Sequence, residues 1–276
     1  MTTAIPHLTT LRLELGEPGI AELRLDRPER SNAIDEAMWQ ELREAFAWAD
    51  EAPAVRVVIL AGSGRNFCAG IDLAMLAGVG RLVAHADAAR SREALRRLIL
   101  DLQDCLSGIE RCRKPVLAAI HGACIGGAID LVTCCDMRYA AASAQFSVRE
   151  IDVGMTADVG TLQRLPRLVP EGIARELAFT GRSVDGEEAR RIGLVNRVFA
   201  SEELLLAGVR EIARTIAGKS PLAVRGTKEM LNYSRDHPVA DGLNYVATWN
   251  AAMLLSADLD EAISALREKR PPRFGD

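Results

Sequence analysis

The sequence predicts an α/β fold with a helical C-terminal part, and two observations carry this prediction. Strand-like and helix-like segments alternate through about the first 200 of the 276 residues, and from about residue 201 onward the pattern is almost wholly helical. Alternation is typical of a sheet covered by helices, and a terminal run of helices indicates an added α-helical layer. We therefore predict a core over residues 1–200 and a C-terminal helical region over residues 201–276.

The first elements are a predicted hairpin and an amphipathic helix. TLRLEL (10–15) and IAELRLD (20–26) alternate apolar and polar residues around the turn sequence GEPG, which favours two paired strands. Residues 35–51 repeat apolar side chains at helical spacing, and Asp35 stands where the helix would begin. VRVVILAG (55–62) is typical of a buried strand.

The middle of the chain continues the alternation. A long amphipathic segment at 86–111 leads to a second buried strand, KPVLAAIHG (114–122). CIGGAIDLVTCCD (124–136) predicts a helix opened by glycines, and MRYAAASAQFSV (137–148) predicts a strand. Four helical segments follow after residue 201.

Composition and charge indicate a soluble cytoplasmic protein. The formal net charge is −4, which argues against nucleic acid as the main partner. The sequence has no apolar run of the ~18 residues that a membrane span requires. Neither end resembles a targeting signal, so we predict a cytoplasmic location. The six cysteines lack the paired spacing of a zinc site, and we predict neither a metal nor a cofactor.

One glycine motif is discounted. VVILAGSG places a strand before GxG, as in dinucleotide-binding folds, but Phe67 stands where the third glycine of GxGxxG belongs. The following segment also reads as a loop before any helix. The motif therefore gives only weak support to a nicotinamide cofactor.

Two glycine-containing loops resemble one another. FCAGIDL (67–73) and HGACIGGAIDL (121–131) each follow a predicted buried strand. Glycine allows sharp turns and close approach of the backbone, and two freed amide N–H groups that converge on one oxygen form an oxyanion hole. Each loop alone is more typical of an ordinary strand-to-helix turn.

Three carboxylates in REIDVGMTADVG (149–160) lie where burial is expected. Glu150, Asp152 and Asp158 are spaced among apolar residues and glycines. They could lie on the solvent-exposed face of a strand, or Asp158 could cap a helix near Gly160. Alternatively, one or more could be a catalytic acid or base whose pKa is shifted by burial. The local residues leave these interpretations open.

Several motifs in one order resemble the crotonase, or enoyl-CoA hydratase/isomerase, superfamily. They are RPERSNAID (27–35), FCAGIDL, IHGACIGGAIDL and GTLQRLPRLV (160–169), and the resemblance covers about residues 8–270. It implies a spiral of repeated ββα units and C-terminal helices that build a homotrimer, commonly paired into a hexamer. It also implies an acyl-CoA thioester substrate.

Within the superfamily, the acids resemble those of the Δ3,5-Δ2,4-dienoyl-CoA isomerases. Hydratases use two glutamates at the positions of Asp130 and Glu150 and usually have glycine at the position of Asp158, so this chain adds a third acid. CIGGAIDLVTCCDMRY and residues 233–250 also resemble that group. The resemblance implies conversion of 3,5-dienoyl-CoA to 2,4-dienoyl-CoA in fatty-acid β-oxidation.

The resemblance also implies a role for each site residue. Glu150 would remove the C2 proton, Asp158 would protonate C6, and Asp130 would support them. The amides of Ile71 and Gly127 would form the oxyanion hole. Substrate-binding positions would be Ala69, Gly70, Asp72, Leu73 and Arg30. Asp152 is expected to face away from the site, His121 to be structural, and Lys228 to be a solvated lysine rather than a phosphate ligand.

Two other functions remain open at this point. Asp130 and Glu150 occupy both acid positions of an enoyl-CoA hydratase and could activate water. A protein of another class, a non-catalytic relative that binds acyl-CoA or RNA, could keep the same fold, since fold alone does not fix function.

Overall fold

The computed structural model describes residues 4–275. The strands of this part of the chain are β1 (Leu11–Leu15), β2 (Gly19–Leu25), β3 (Val55–Gly62), β4 (Val116–Ile120), β5 (Ala123–Ile125), β6 (Met137–Ala141), β7 (Gln145–Ser147), β8 (Val184–Asp185) and β9 (Arg197–Phe199). Its α-helices are α1 (Glu36–Glu51), α2 (Leu73–Leu82), α3 (Ala88–Arg111), α4 (Gly127–Thr133), α5 (Thr161–Arg164), α6 (Glu171–Thr180), α7 (Gly186–Arg191), α8 (Glu202–Ala217), α9 (Pro221–Asp236), α10 (Val239–Met253) and α11 (Ala257–Glu268).

The strands form two sheets, and the chain passes from one sheet to the other as it proceeds. The large sheet has the order β1-β2-β3-β4-β6-β9, and the small sheet has the order β5-β7-β8. The predicted hairpin is confirmed, because β1 and β2 are antiparallel with Leu11 opposite Leu25. β4, β5 and α4 form one ββα unit, in which one strand joins each sheet. Repetition of such units gives the predicted α/β spiral.

One predicted strand is divided between the two sheets. Residues 137–148 form β6 in the large sheet and β7 in the small sheet, with a turn closed by the bond from the Ala144 amide to the Ala141 carbonyl (2.9 Å). An apolar run does not reveal such a turn, because both strands are buried. For the same reason the predicted helix 124–136 is shorter, and its first residues belong to β5.

The helices α1 and α3 cover one face of the large sheet. Asp35 caps α1 as predicted, since its carboxylate accepts the Met38 amide at 2.9 Å. Phe46 of α1 and Leu106 and Ile109 of α3 are buried in the main hydrophobic core. This packing holds α3, a helix of 24 residues, beside the loops that follow β3 and β4.

The C-terminal helices differ in how they meet the sheet. α8 packs on the other face of the large sheet, where Leu205, Val209 and Ala213 are buried. The later helix α9 is tied down by Lys228, whose Nζ donates to Asp136 Oδ2 at 2.7 Å and to the Lys114 carbonyl at 3.1 Å. Lys228 is therefore buried, and its interpretation as a solvated lysine was wrong. The domain boundary at residue 200 stays a prediction.

Among residues 4–275, no helix is both long and apolar enough to cross a bilayer.

Candidate active site

The two glycine loops lie side by side. The Cys68 amide donates to the Ala123 carbonyl at 2.9 Å, and the Ile125 amide donates to the Cys68 carbonyl at 3.1 Å. These bonds form a parallel bridge between Cys68 and Cys124 of β5, so the first loop pairs with an edge strand of the small sheet. The structure therefore brings together two segments that are separated by more than fifty residues in the sequence.

Glycine is required where the two loops touch. Gly70 has φ +89°, and a Cβ atom built on it would lie 2.6 Å from the Ile125 carbonyl oxygen and 3.1 Å from the Gly127 nitrogen. Gly126 has φ +55° and ψ −124°, a conformation that L side chains rarely adopt. The backbone of one loop therefore approaches the other more closely than any side chain would allow.

The amides of Ile71 and Gly127 point to the same region. Within residues 4–275, neither N–H has a protein acceptor. A Cβ atom built on Gly127 would lie 3.5 Å from the Ile71 nitrogen, so the two groups are close enough to share one ligand oxygen. The closeness of the two amides is compatible with an oxyanion hole, which remains a prediction.

Glu150 lies over this pair of amides. It opens a 3-10 turn, Glu150–Val153, that directly follows the small-sheet strand β7. Its Oε1 lies 3.5 Å from the position that a Cβ atom on Gly126 would occupy. Burial raises the pKa of Glu150, and the negative charge of Asp158 raises it further.

Asp130 is the most deeply buried of the three acids. It is 0% exposed, and its pKa is raised to about 7, first by burial and then by the negative charge of Glu150. Its Oδ1 accepts the Thr161 amide at 2.5 Å, which opposes the upward shift and caps the start of α5. The helix-cap role considered for Asp158 therefore belongs to Asp130, which lies about thirty residues before α5 in the sequence.

The buried carboxyl groups of Asp130 and Glu150 each have one oxygen without a hydrogen-bond donor. Asp130 Oδ2 and Glu150 Oε2 are both buried, and neither accepts a hydrogen bond from an amide or a hydroxyl group of residues 4–275. A hydrogen bond from the Asp130 carboxyl lowers the pKa of Glu150. Because a buried oxygen without a donor is costly, the pair is stable when one proton bridges it.

Asp158 completes the cluster from a short irregular segment. Its carboxyl is half-buried between the buried Ala157 and Val159, and this burial raises its pKa. The apolar surroundings expected for this acid are thus partly present, although Val153 is 55% exposed and lies outside them. The Asp158 carbonyl accepts a hydrogen bond from Gln103 Nε2 of α3 at 2.5 Å.

Asp152 lies outside the cluster. It is exposed, and its carboxylate is 3.7 Å from Arg149 on the same turn. The sequence predicted this outcome for the wrong reason, because the segment is a 3-10 turn and not an extended strand.

The predicted substrate-binding residues surround the opening of α2. Asp72 caps this helix by accepting the Ala74 amide at 2.9 Å, and it pairs with Arg27 at 3.3 Å. Leu73 is 70% exposed, and Ala69 is also exposed. Arg30 is exposed at the edge of a cavity of about 810 Å³ between α1, α2 and α3. His121 is buried against the Gly64 carbonyl at 2.9 Å, which fits its structural interpretation.

Two functional features were missed in the sequence. The first is α2, which begins at Leu73 in a segment that was expected to be a loop. Asp72 followed by LAML is a helix-start signal that could have predicted it. The contact from Gln103 to Asp158 spans 55 residues and has no local signal.

Within residues 4–275, no group of three or more His, Cys, Asp or Glu side chains is arranged to hold a metal ion.

Comparison with known proteins identifies the family. Residues 16–276 match the model of the enoyl-CoA hydratase/isomerase family. The chain belongs to this family. A peroxisomal Δ3,5-Δ2,4-dienoyl-CoA isomerase of Arabidopsis thaliana is 49% identical over 94% of this chain and 93% of its own. The human mitochondrial enzyme of the same name is 44% identical over 95% of this chain and 80% of its own.

Solved structures support the same fold. An enoyl-CoA hydratase from Bacillus anthracis superposes with a TM-score of 0.87 at 32% identity, over 97% of this chain and 99% of its own. The predicted crotonase fold is therefore confirmed.

The predicted cytoplasmic location is contradicted by these relatives, which are named as peroxisomal and mitochondrial enzymes. The prediction relied on composition and on the lack of a recognised targeting pattern, and neither establishes a compartment, because compartments are set by short segments that receptors read. The sequence pattern was therefore the wrong basis for a location.

Proposed function

We propose that this protein is a Δ3,5-Δ2,4-dienoyl-CoA isomerase that acts in fatty-acid β-oxidation. The observation that carries the proposal is the third acid: Asp158 joins Asp130 and Glu150 in one cluster, and burial raises the pKa of each. Relatives that bear this enzyme name are 40–49% identical to the chain, against 32% for the structurally similar hydratase.

The reaction begins with proton removal from C2. Glu150 lies beside the two converging amides, so its carboxylate takes the C2 proton while the thioester oxygen is held by the N–H groups of Ile71 and Gly127. Negative charge then spreads from this oxygen along the conjugated chain to C6. Each such amide donor typically contributes about a hundred- to a thousandfold in rate.

The second proton is delivered at C6. C2 and C6 are several bonds apart, so a separate acid is needed at the far end of the conjugated system. Asp158 supplies this proton, and the upward shift of its pKa favours the protonated form that the step requires. Protonation at C6 leaves double bonds at C2 and C4, and transfer of the proton from Glu150 to the Asp158 carboxylate then restores both acids to their starting states.

Asp130 acts on the protonation of Glu150. The proton it shares with Glu150 lets the pair adjust its charge during the cycle, and its bond to Thr161 fixes its own position. The two acids titrate as a coupled unit. We propose that the cycle uses no cofactor, because each proton movement has a carboxyl group assigned to it.

The CoA end of the substrate is assigned to Arg30. Its guanidinium is exposed at the cavity beside α2, where a phosphate could approach it. Asp72 contributes indirectly by capping α2 and orienting Arg27.

We also propose a homotrimer, or a hexamer of two trimers. Large apolar side chains stand exposed on and between α9, α10 and α11: Leu231, Val239, Leu243, Leu255 and Leu266. Such a surface is typical of a subunit interface. Light scattering should give three or six times the mass of one chain, and a monomer at micromolar concentration would reject the assembly.

Hydration is the second candidate, and the adjacent acids Asp130 and Glu150 favour it. Two carboxyl groups beside an oxyanion hole are the hydratase arrangement implied by the family resemblance. Against it, Asp130 is 0% exposed and bonded to a main-chain amide, so it is poorly placed to activate water.

The decisive experiment follows the ultraviolet absorbance of 2,4-dienoyl-CoA formed from 3,5-dienoyl-CoA, beside hydration of a 2-enoyl-CoA. We expect fast isomerisation, and in Asp158→Asn a fall of about a hundred- to ten-thousandfold, because the general acid is lost. Asp152→Asn is the matched control and should leave the rate unchanged. Fast hydration that is indifferent to Asp158→Asn, without isomerisation, would make the protein a hydratase. CoA-ester binding without either reaction would support a binding role.

A further inference from the structure

One face of α3 holds the segment that carries Asp158. Gln103, Ser107 and Glu110 are spaced at i, i+4 and i+7, and therefore lie on the same side of this helix. Gln103 Nε2 donates to the Asp158 carbonyl at 2.5 Å. Further along the same segment, Arg164 donates to Ser107 Oγ at 3.1 Å and to Glu110 at 3.2 Å.

Besides the packing of the buried Ala157 and Val159, the Asp158 segment is held by hydrogen bonds at each end. Residues 155–158 have no regular secondary structure. The segment is anchored on one side by the bond from the Met155 amide to the Glu150 carbonyl (2.9 Å) and on the other by the bond from the Thr161 amide to Asp130 (2.5 Å). The bond from Gln103 falls between these anchors, at Asp158 itself.

We infer that Gln103 is a positioning residue for the reaction: it fixes the main chain of Asp158 so that the carboxyl group faces the far end of the conjugated acyl chain. This inference rests on the proposed function. Gln103 acts through Asp158 and needs no contact with substrate.

The mechanical basis is the rigidity of α3. Its buried residues Cys105, Leu106 and Ile109 pack in the main core, so the helix provides a fixed support. A hydrogen bond from a fixed donor to the carbonyl of Asp158 limits the rotation of that peptide and hence the direction of its side chain. A misplacement of about 1 Å at a reacting group can cost about a hundredfold in rate.

The two proton transfers should respond differently to the loss of this bond. Removal of the C2 proton depends on Glu150 and on the loop amides, which Gln103 does not contact. Delivery of the C6 proton depends on Asp158. In Gln103→Met, which keeps the side-chain length and lacks the donor, we expect kcat for isomerisation to fall about ten- to a hundredfold. KM should stay within about twofold, because the CoA contacts are unchanged.

The test measures both steps on the same enzyme. The full-length protein is incubated with 3,5-dienoyl-CoA in D₂O, and mass spectrometry follows deuterium entering C2 of the remaining substrate while absorbance follows the 2,4-dienoyl product. In Gln103→Met, C2 exchange should persist within about twofold while isomerisation falls, so that the ratio of exchange to isomerisation rises about as much as kcat drops.

Gln163→Met is the matched control. Gln163 is exposed on α5 and lines the same cavity, of about 440 Å³, as Gln103. It should change neither rate. If Gln103→Met lowers exchange and isomerisation together, the residue is merely structural and the inference is overturned; unchanged isomerisation overturns it as well.

Failure of the proposed function gives a different pattern. If the unmodified enzyme does not isomerise 3,5-dienoyl-CoA, or if Asp158→Asn isomerises normally, the proposed function fails and the inference fails with it. If Asp158→Asn is inactive and Gln103→Met is fully active, only the role of Gln103 is rejected.

Discussion

The site is built from two halves of different construction, a backbone half and a carboxyl half. The backbone half consists of the segments that follow β3 and β5, where glycines let the amides of Ile71 and Gly127 come close together. The carboxyl half consists of Asp130, Glu150 and Asp158, whose burial raises their pKa values. The backbone half depends on glycines, whose missing side chains let the two loops approach each other. The carboxyl half depends on three ionisable groups that are buried close together.

This difference determines how each half can be damaged. An amide donor survives every substitution except that by proline, so for other substitutions the backbone half fails only when its geometry is forced apart. The carboxyl half fails when a single group loses its proton, its charge or its support. The comparison therefore predicts that steric changes act on the first half and pH acts on the second.

The largest expected effect in this comparison is that of Gly70→Ala. Its new Cβ atom would lie 2.6 Å from the Ile125 carbonyl oxygen, and the φ of +89° is strained for alanine, so the two loops must separate. We expect activity to fall about a hundred- to a thousandfold, as for the loss of one oxyanion donor. Steady-state isomerase kinetics measure this loss.

Two alanine variants serve as comparisons for that prediction. Gly172→Ala, in α6 with open space around it, should leave the rate unchanged. Gly127→Ala should fold normally, because its Cβ atom meets only ordinary contacts at 3.5 Å or more, but should lose activity by crowding the Ile71 amide. Normal activity in Gly70→Ala would show that the backbone half tolerates a displacement of the loops.

A smaller effect, on stability, is expected from Asp130→Asn. The folded protein holds the pKa of Asp130 at about 7, above the value of 3.8 taken for an unperturbed aspartate. Between these pH values the folded state binds a proton that the unfolded state lacks, so this group stabilises the fold at low pH and loses that contribution as pH rises through 7. At about 1.4 kcal/mol per pKa unit, the loss reaches about 4 kcal/mol.

Asparagine has no such proton but keeps an oxygen for the Thr161 amide. The free energy of unfolding of Asp130→Asn, relative to the parent protein, should therefore rise by a few kcal/mol between pH 5 and pH 8. Urea unfolding at a fixed protein concentration measures this difference. Asp152→Asn, at an exposed aspartate, should show no comparable trend, and a flat difference for Asp130→Asn would mean that its carboxyl is not held protonated.

Local sequence patterns predicted most of the fold, whereas the family resemblance singled out the acids. Alternating and helical periodicities found the β1–β2 hairpin, α1 with its Asp35 cap, and α3. They failed at residues 137–148, because a turn between two buried strands leaves the apolar run unbroken. They also failed at α2, whose exposed apolar residues lack the usual two-sided pattern.

The sequence by itself determined the order of strands and helices, the two glycine loops, and the presence of three acids where hydratases resembling this chain have two. These features are local, because backbone propensity and residue type act over a few neighbours. Only the tertiary structure decided that Asp130 is the acid with a pKa near 7, that it caps α5, and that Gln103 holds Asp158. Burial and proton sharing depend on distances between residues far apart in the chain, and those distances exist only after the spiral has closed.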